Sequence, residues 1–313
     1  MSKLMHKDLV IIGGGPAGLS ASIYAKRALL DAVTLEHQAF GGQVLQTSEV
    51  DNYPGVPNTD GFSLVEAMRS QAADLGAVLA TADVNNIVAS DDGFDVFTSE
   101  EDIHARTVIL ATGATPRLAG FEGEKEYVGR GVSYCATCDG MFFRGREVFV
   151  IGGGNSAVEE ALFLTRFASH VTLVVRKDHM RAQAVLAREF ESNDKTSIRY
   201  LTSITEVGGT TGITQITFRN NEDGSVTTET FEQPVGVFVF VGREPESELV
   251  ADLVDTTPGG FIKTNASMAT RTPGLFAAGD VRDTPLRQIV CAASDGAIAA
   301  TSAAAHLGQH IFE

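Results

Sequence analysis

The sequence predicts an α/β protein of two domains, each a three-layer ββα unit with a parallel sheet and a small antiparallel β insert. Three observations carry this prediction. The chain has 313 residues, which at about 150 residues per domain gives two domains with room for real cores. One device, strand–glycine turn–helix–strand, occurs twice, over 9–36 and 148–175. Each copy is followed by short runs of alternating hydrophobicity that read as antiparallel strands.

The elements follow in order. Leu9 to Ile12 is a short apolar run that ends at Gly13-Gly14-Gly15-Pro16-Ala17-Gly18. A helical stretch with Leu19, Ile23 and Ala25 comes next, then a strand from Ala32 to Leu35 ending in Glu36. Val84 to Val88, Phe94 to Phe97 and Thr107 to Ala111 alternate as an antiparallel insert leading back into a strand, which ends in Ala111-Thr112-Gly113-Ala114. The second copy runs from Val148 to Ile151 into Gly152-Gly153-Gly154-Asn155-Ser156-Ala157, then a helix through Phe167 and a strand from Val171 to Val175. Its insert is Ile204 to Val207, Ile213 to Phe218 and Val226 to Phe231, with a separate strand over Val237 to Val241. The tail has one strand, which turns at Gly279-Asp280, and an Ala-rich helix from about Gln288 to His306. It carries no glycine loop, so it belongs with the first domain. The expected domains are 1–116 with 246–313, and 117–245, joined by linkers near Pro116–Gly120 and Arg243–Glu248.

Composition narrows the function. Hydrophobic residues at 43% and charged residues at 20% exclude wholesale disorder. The net charge of −16, from 24 basic and 40 acidic residues, argues against nucleic acid or an anionic membrane as partner. Trp is absent and aromatics are only 7%, which disfavours a base-stacking platform. No apolar run approaches the roughly 18–20 residues of a membrane span. The lysines before Leu9 imitate a signal peptide, but the apolar stretch is shorter than the roughly 7–15 residues such a segment needs. A cytoplasmic location is expected.

Both glycine turns sit directly after a strand and open a helix, the context a Rossmann-like dinucleotide site requires. In each, the first glycine (Gly13, Gly152) permits the turn. The second (Gly15, Gly154) lets a pyrophosphate approach the backbone, and the third position (Gly18, Ala157) is small so that helix packs on strand. The helix N-terminus, at Pro16 and Ala17 or at Asn155 and Ser156, then faces the phosphates. The alternative for each copy is a tight turn without a ligand. The two differ 23 residues beyond the first glycine, where one has Glu36 and the other Val175. Glu36 suits ribose hydroxyls and repels a 2′-phosphate, as FAD or NAD requires. The second copy offers Arg176, Lys177 and Arg181, which suit the 2′-phosphate of NADP; the alternative is a solvated basic loop.

Cys135 and Cys138 form a C-x-x-C pair followed by Asp139, just before the second glycine turn. In a reducing compartment such a pair points to redox or metal chemistry. Zinc needs further ligands, and no second pair supplies them, so no metal is expected. Cys291 reads as a buried small hydrophobe. A reversible dithiol beside FAD and NADP is the coherent reading. Asp139 is then an acid/base group for thiols that gain and lose protons, or else a turn cap.

With these residues in place, the chain resembles the bacterial-type, low-molecular-weight thioredoxin reductases along essentially its whole length. The resemblance rests on Cys135-Ala-Thr-Cys138-Asp139-Gly140, Gly13 to Gly18, Gly41-Gly42-Gln43, Asn52-Tyr53-Pro54-Gly55, Ala111 to Ala114, Gly152 to Ala161, Gly279-Asp280 and Arg287-Gln288. It implies that FAD lies on the first domain and NADPH on the second. Gly41 to Gln43 and Asn52 would approach the flavin ring, Asp280 would hold the ribityl chain, and Arg287-Gln288-Ile289 would lie along the ring. Val84, Ala111, Thr112, Gly113 and Gly279 join the expected cofactor contacts. Cys138 would face the flavin and Cys135 would attack thioredoxin, the expected partner, in a homodimer. The resemblance also implies that thiols and nicotinamide alternate at the flavin by rotation of one domain on the two linkers. One departure stands out: the family's His-Arg-Arg-x-x-x-Arg run reads Val175-Arg176-Lys177 with Arg181 here. Lys keeps a charge but lacks the bidentate fork, so weaker NADPH binding or another electron donor stays open. A flavin dithiol oxidase and a non-catalytic redox sensor are the rival readings.

Overall fold

The computed structural model describes residues 5–47 and 50–309. The chain divides into two compact units, Met1–Thr115 with Glu244–Glu313, and Pro116–Arg243. It has two seven-stranded sheets, one in each unit. In the first unit β1 (Met5–Ile12) leads into α1 (Pro16–Arg27), β2 (Ala32–Glu36), α2 (Gly61–Asp74) and β3 (Val78–Thr81). The antiparallel β4 (Val84–Ser90), β5 (Gly93–Thr98) and β6 (Ile103–Leu110) follow, then the short β7 (Ala114–Pro116). α2 is not among the elements expected above, although Leu64, Val65, Met68 and Ala72 recur at helical spacing and form its buried face; Asp60 caps it, its carboxylate accepting the Ser63 N–H at 2.7 Å.

The second unit starts with β8 (Val132–Ser133) and the one-turn α3 (Ala136–Asp139). Then come β9 (Glu147–Ile151), α4 (Asn155–Leu164), β10 (His170–Val174), α5 (Ala184–Glu191) and β11 (Thr196–Arg199). The antiparallel insert is β12 (Thr202–Gly208), β13 (Ile213–Asn220) and β14 (Val226–Val239). Two expectations need correcting here. Val226–Phe231 and Val237–Val241 are not separate strands but parts of one 14-residue strand that ends at Val239. Its ladder slips between Gln215↔Thr230 and Ile213↔Val235, so the segment around Pro234, which has no N–H to donate, bulges without ending the strand. The helix expected to reach Phe167 stops at Leu164, where the N–H groups of Thr165, Arg166 and Phe167 turn to the carbonyls three residues back, Leu162, Phe163 and Leu164, and the ladder tightens into a final turn.

The chain returns to the first unit through β15 (Arg243–Pro245), then β16 (Leu275–Ala277) and α6 (Ile289–His306). β16 extends the first sheet beside β6, and its parallel register continues that of β6 on β1. The Ala-rich face of α6 explains its burial: Ala299, Ala300, Ala303 and Ala304 are enclosed against α1 and the sheet. The other face of that sheet is closed by Ile87, Val96, Val250, Val254 and Ile262. β7 and β15, the two chain crossings between the units, pair with each other as a two-stranded ribbon. At one end Glu246 N–H donates to the Gly113 carbonyl at 3.1 Å, and at the other Arg117 N–H donates to Gly242 at 3.0 Å.

Candidate active site

Register places the first set of candidate residues on one sheet edge. Ile12 is paired with Leu35 and Leu110, and Leu110 with Ala277. One residue further, Gly13, Glu36, Ala111 and Ala278 leave four adjacent parallel strands at the same level. The ladder carries on into the loops, with Ala111 N–H bonded to Ile12 at 2.7 Å and Ala278 N–H to Leu110 at 2.9 Å. An open parallel sheet binds ligands in such a crevice, outside the carboxyl ends of its strands.

The first glycine turn has the shape a pyrophosphate needs. Gly13 has φ +107°, and a Cβ there would run into the Ala111 carbonyl. A Cβ on Gly18 would strike the Gly13 carbonyl, so the third glycine is required for packing, whereas Gly15 faces open space. Gly15 caps α1 without a side-chain hydrogen bond, Pro16 fills the first helical position, and Ala17 is buried behind it. Glu36 is buried, and its Oε2 accepts the Gly14 N–H at 2.7 Å while Oε1 accepts the Gln38 N–H at 3.0 Å. It therefore braces the turn from below as well as marking its edge.

Distant segments converge on the same edge. Gly41 N–H donates to the Gly14 carbonyl at 2.8 Å, which lays the Gly41–Gly42–Gln43 loop over the turn. Gln43 Nε2 reaches the Ala114 carbonyl at 2.5 Å, and Asn52 Nδ2 donates to Gln288 Oε1 at 3.1 Å. Thr112 Oγ1 bonds the Glu246 carbonyl at 2.6 Å, beside Gly113 at φ +80°. Val84 opens β4 two residues after Ala82, whose N–H donates to Glu36. Arg287 lies over the Phe261 ring at 4.1 Å, and Ile289 begins α6. Sequence reasoning missed Asp295, a buried acid on α6. Its Oδ2 accepts the Gly279 N–H and Arg282 Nη1, both at 3.1 Å, and so fixes the turn that presents Asp280. An acid within the Ala-rich stretch of α6 was the signal. Cys291, expected to be enclosed, is only half-buried on the same helix.

The second unit repeats the construction. Gly152 has φ +151°, a Cβ on it would come 2.6 Å from the Phe240 carbonyl, and Gly154 again faces open space. Gly154 caps α4 without a side-chain bond, Ser156 is exposed in the first turn, and Ala157 is buried. Asn155 Oδ1 accepts the Gln183 N–H at 2.8 Å, which draws in the segment after β10. Arg181 N–H donates to the Gly153 carbonyl at 2.6 Å, so Arg181 sits at the turn itself. Arg176 and Lys177 are exposed at the end of β10. Val175 is 4% exposed and packs under the turn, 3.0 Å from where a Gly153 Cβ would lie. Beside the cations, Asp178 pairs with His179 at 2.6 Å, and that hydrogen bond holds its carboxyl below the usual range.

Cys135 and Cys138 are joined as a disulfide. Ser133 and Val150 both pair with Phe238 of β14, from opposite sides. Two residues further, Cys135 and Gly152 therefore leave the sheet on the same edge, two strand spacings apart, about 10 Å. The Cys138 N–H donates to Cys135 Sγ at 3.2 Å. Ser133 Oγ donates to Asp139 Oδ2 at 2.6 Å and accepts the Cys135 N–H at 3.1 Å, which ties the acid to the disulfide. Burial pushes the Asp139 carboxyl up from its ordinary pKa, and the Ser133 hydrogen bond offsets part of that. Both ligand-shaped turns fit the groups expected of them, and the only disulfide among the described residues lies beside the second.

Comparison with known proteins agrees with this geometry. A family model for pyridine nucleotide-disulphide oxidoreductases matches residues 7–296. A thioredoxin reductase of Peptoclostridium litorale is 43% identical over 308 residues, covering 96% of this chain and 97% of that protein. A bifunctional thioredoxin reductase/thioredoxin of Mycobacterium leprae is 44% identical, over 97% of this chain and 66% of that longer protein. The crystal structure of thioredoxin reductase from Streptococcus pyogenes superposes with a TM-score of 0.91 at 40% identity, covering 98% of this chain and 100% of that one. The chain belongs to the pyridine nucleotide-disulphide oxidoreductases and, among them, to the thioredoxin reductases.

Proposed function

We propose that Cys135 and Cys138 are the two working thiols of an enzyme that reduces thioredoxin with electrons from NADPH, and that Asp139 handles their protons. The observation that carries this is the disulfide, set on the same sheet edge as a glycine turn shaped for a dinucleotide. FAD supplies the two-electron relay between NADPH and the disulfide. The first glycine turn, Glu36, the Gly41–Gln43 loop, Asn52, Val84, Ala111 to Gly113, Gly279, Asp280 and Arg287 to Ile289 would hold it. Gly152, Gly154, Asn155, Ser156, Ala157, Arg176, Lys177 and Arg181 would hold NADPH.

In the reduced protein the Cys135 thiolate attacks one sulfur of the thioredoxin disulfide and expels the other as a thiolate. Cys138 then attacks Cys135 Sγ, which restores the internal disulfide and frees reduced thioredoxin. Asp139 keeps its proton to higher pH than an ordinary carboxyl, so it can protonate the departing thiolate. Met141 and Phe142, 51% and 40% exposed, add an apolar surface next to the disulfide that suits a protein substrate. Two hydrogen-bonded linkers support rotation of one unit between donor and acceptor halves of the cycle. No helix among the described residues is long and apolar enough to cross a membrane. Exposed Tyr24, Val290 and Ile298, around an apolar groove on the first unit, support the homodimer; the cytoplasm is the location we propose.

The deciding experiment is a visible spectrum of the purified protein under nitrogen, titrated with NADPH. The yellow flavin absorbance should bleach within a few equivalents and return on adding oxidised thioredoxin. A flavin that NADPH leaves yellow would point to another donor. The proton role has its own test. Asp139→Asn should slow thioredoxin reduction about a hundredfold while leaving flavin reduction by NADPH near its normal rate. In the unsubstituted protein the rate should fall as pH rises through the raised Asp139 pKa, because the carboxyl then loses the proton it donates. If Asp139→Asn kept that alkaline decline, the proton donor would be another group.

A further inference from the structure

We propose that Glu124 is a positioning residue that couples the first linker to the segment bearing Cys135. The proposal rests on the reading of Cys135–Cys138 as the working disulfide. Beyond the β7–β15 ribbon, Ala119 N–H donates to Glu124 Oε1 at 2.9 Å and Gly120 N–H to Oε2 at 2.6 Å. Gly120 adopts φ +87°, the left-handed conformation that turns its N–H toward the acid. Glu124 is a charged residue only 3% exposed, and these donors satisfy it. A third donor comes from the redox segment: Tyr134 Oη–H bonds Glu124 Oε1 at 3.0 Å. Tyr134 lies between Ser133, which holds Asp139, and Cys135 itself. Burial, reinforced by the neighbouring Glu124 charge, raises the Tyr134 pKa, so its hydroxyl stays a donor.

The arrangement has a mechanical meaning. Ala119 and Gly120 are fixed to the second unit by the same carboxylate that fixes Tyr134. The linker is thereby held at Arg117, through its bond to Gly242, and again at Ala119 and Gly120, and a displacement of it is passed through the Glu124 and Tyr134 side chains to the backbone before Cys135. An amide at position 124 would put a donor where the site presents donors, so Glu124→Gln disrupts the junction despite its equal size. Glu124 reaches the disulfide segment only through the Tyr134 hydroxyl among these bonds, which is why it positions rather than reacts.

The test uses the FAD-loaded full chain with Glu124→Gln, Tyr134→Phe and the double variant. Readouts are thioredoxin turnover, anaerobic flavin reduction by NADPH, and deuterium uptake by the amides of 117–121. Tyr134→Phe should slow thioredoxin turnover roughly three- to tenfold and Glu124→Gln about tenfold or more. The double variant should match Glu124→Gln alone, because both cut one junction. Tyr134→Phe should also speed deuterium uptake at 117–121, far along the chain from the substitution, while flavin reduction stays within about twofold. Additive losses in the double variant, unchanged uptake at 117–121, or unchanged turnover would each overturn the proposal. If the unsubstituted protein fails to reduce thioredoxin with NADPH, the reading of the disulfide falls, and the uptake measurement alone still decides whether Glu124 joins the two segments.

Discussion

Replacing Cys138 with serine should abolish thioredoxin turnover and leave the protein able to trap its substrate. Cys135, at the start of α3, would still attack the thioredoxin disulfide, but no neighbouring thiol could resolve the product. A mixed disulfide should therefore accumulate, visible as a band of combined mass that dithiothreitol dissolves. Cys135→Ser should lose turnover as completely and trap nothing, because the attacking thiol is gone. Both variants should keep their flavin: the proposed flavin contacts from Gly13 to Gly18 and around Asp280 lie in the other unit. Loss of one essential group of a catalytic set costs nearly the whole effect, so a residual rate above a small fraction would be informative. Trapping by Cys135→Ser and not by Cys138→Ser would exchange the two roles.

Removing the cations at the end of β10 should change which nicotinamide cofactor the protein prefers. With Arg176 and Lys177 both replaced by alanine, the KM for NADPH should rise steeply while that for NADH barely moves. Each lost charge-assisted contact to a 2′-phosphate is worth about ten- to a hundredfold. Arg181 remains at the turn through its bond to Gly153, so some preference for NADPH should survive. Steady-state kinetics with both cofactors decide the matter. An unchanged NADPH-to-NADH ratio would reduce Arg176 and Lys177 to a solvated loop. The departure at Val175 loses its mystery here, since that side chain is buried under the glycine turn and packs rather than binds.

The two glycine turns were legible because their physics writes itself into adjacent residues. A positive φ at Gly13 and Gly152, and a small third position at Gly18 and Ala157, leave a pattern within six residues that few other needs produce. Glu36 was legible by count, although its grip on the Gly14 N–H was not. The unreadable parts are those whose partners are backbone groups or distant side chains. Asp295 answers to an N–H sixteen residues away, and Asn52 to Gln288 across 236 residues. Nothing local names either partner, although an acid within the Ala-rich stretch of α6 does mark Asp295 itself. β14 misled for a related reason: Pro234 and Gly236 break a strand pattern locally, but two ladders on opposite sides of the strand carry it through. Glu124 looked like one acid among many in an acidic chain until three donors were seen to converge on it.

The pairing of β7 with β15 makes the second unit, from the standpoint of the first, a loop whose ends are already shut. The entropy of closing a loop grows only with the logarithm of its length, about 0.6 kcal/mol for each doubling. The first unit is therefore almost indifferent to how large the inserted piece is, so long as its two ends meet at the ribbon. Its own sheet nevertheless depends on that closure, because β16 and α6 arrive only after the insertion. During synthesis β1 to β6 must wait, with the seat of α6 on α1 uncovered, until the whole inserted unit has been made. The inserted unit, contiguous from Pro116 to Arg243, can fold first. Folding order and chain order are thus reversed for the amino-terminal domain: what is translated earliest is completed last.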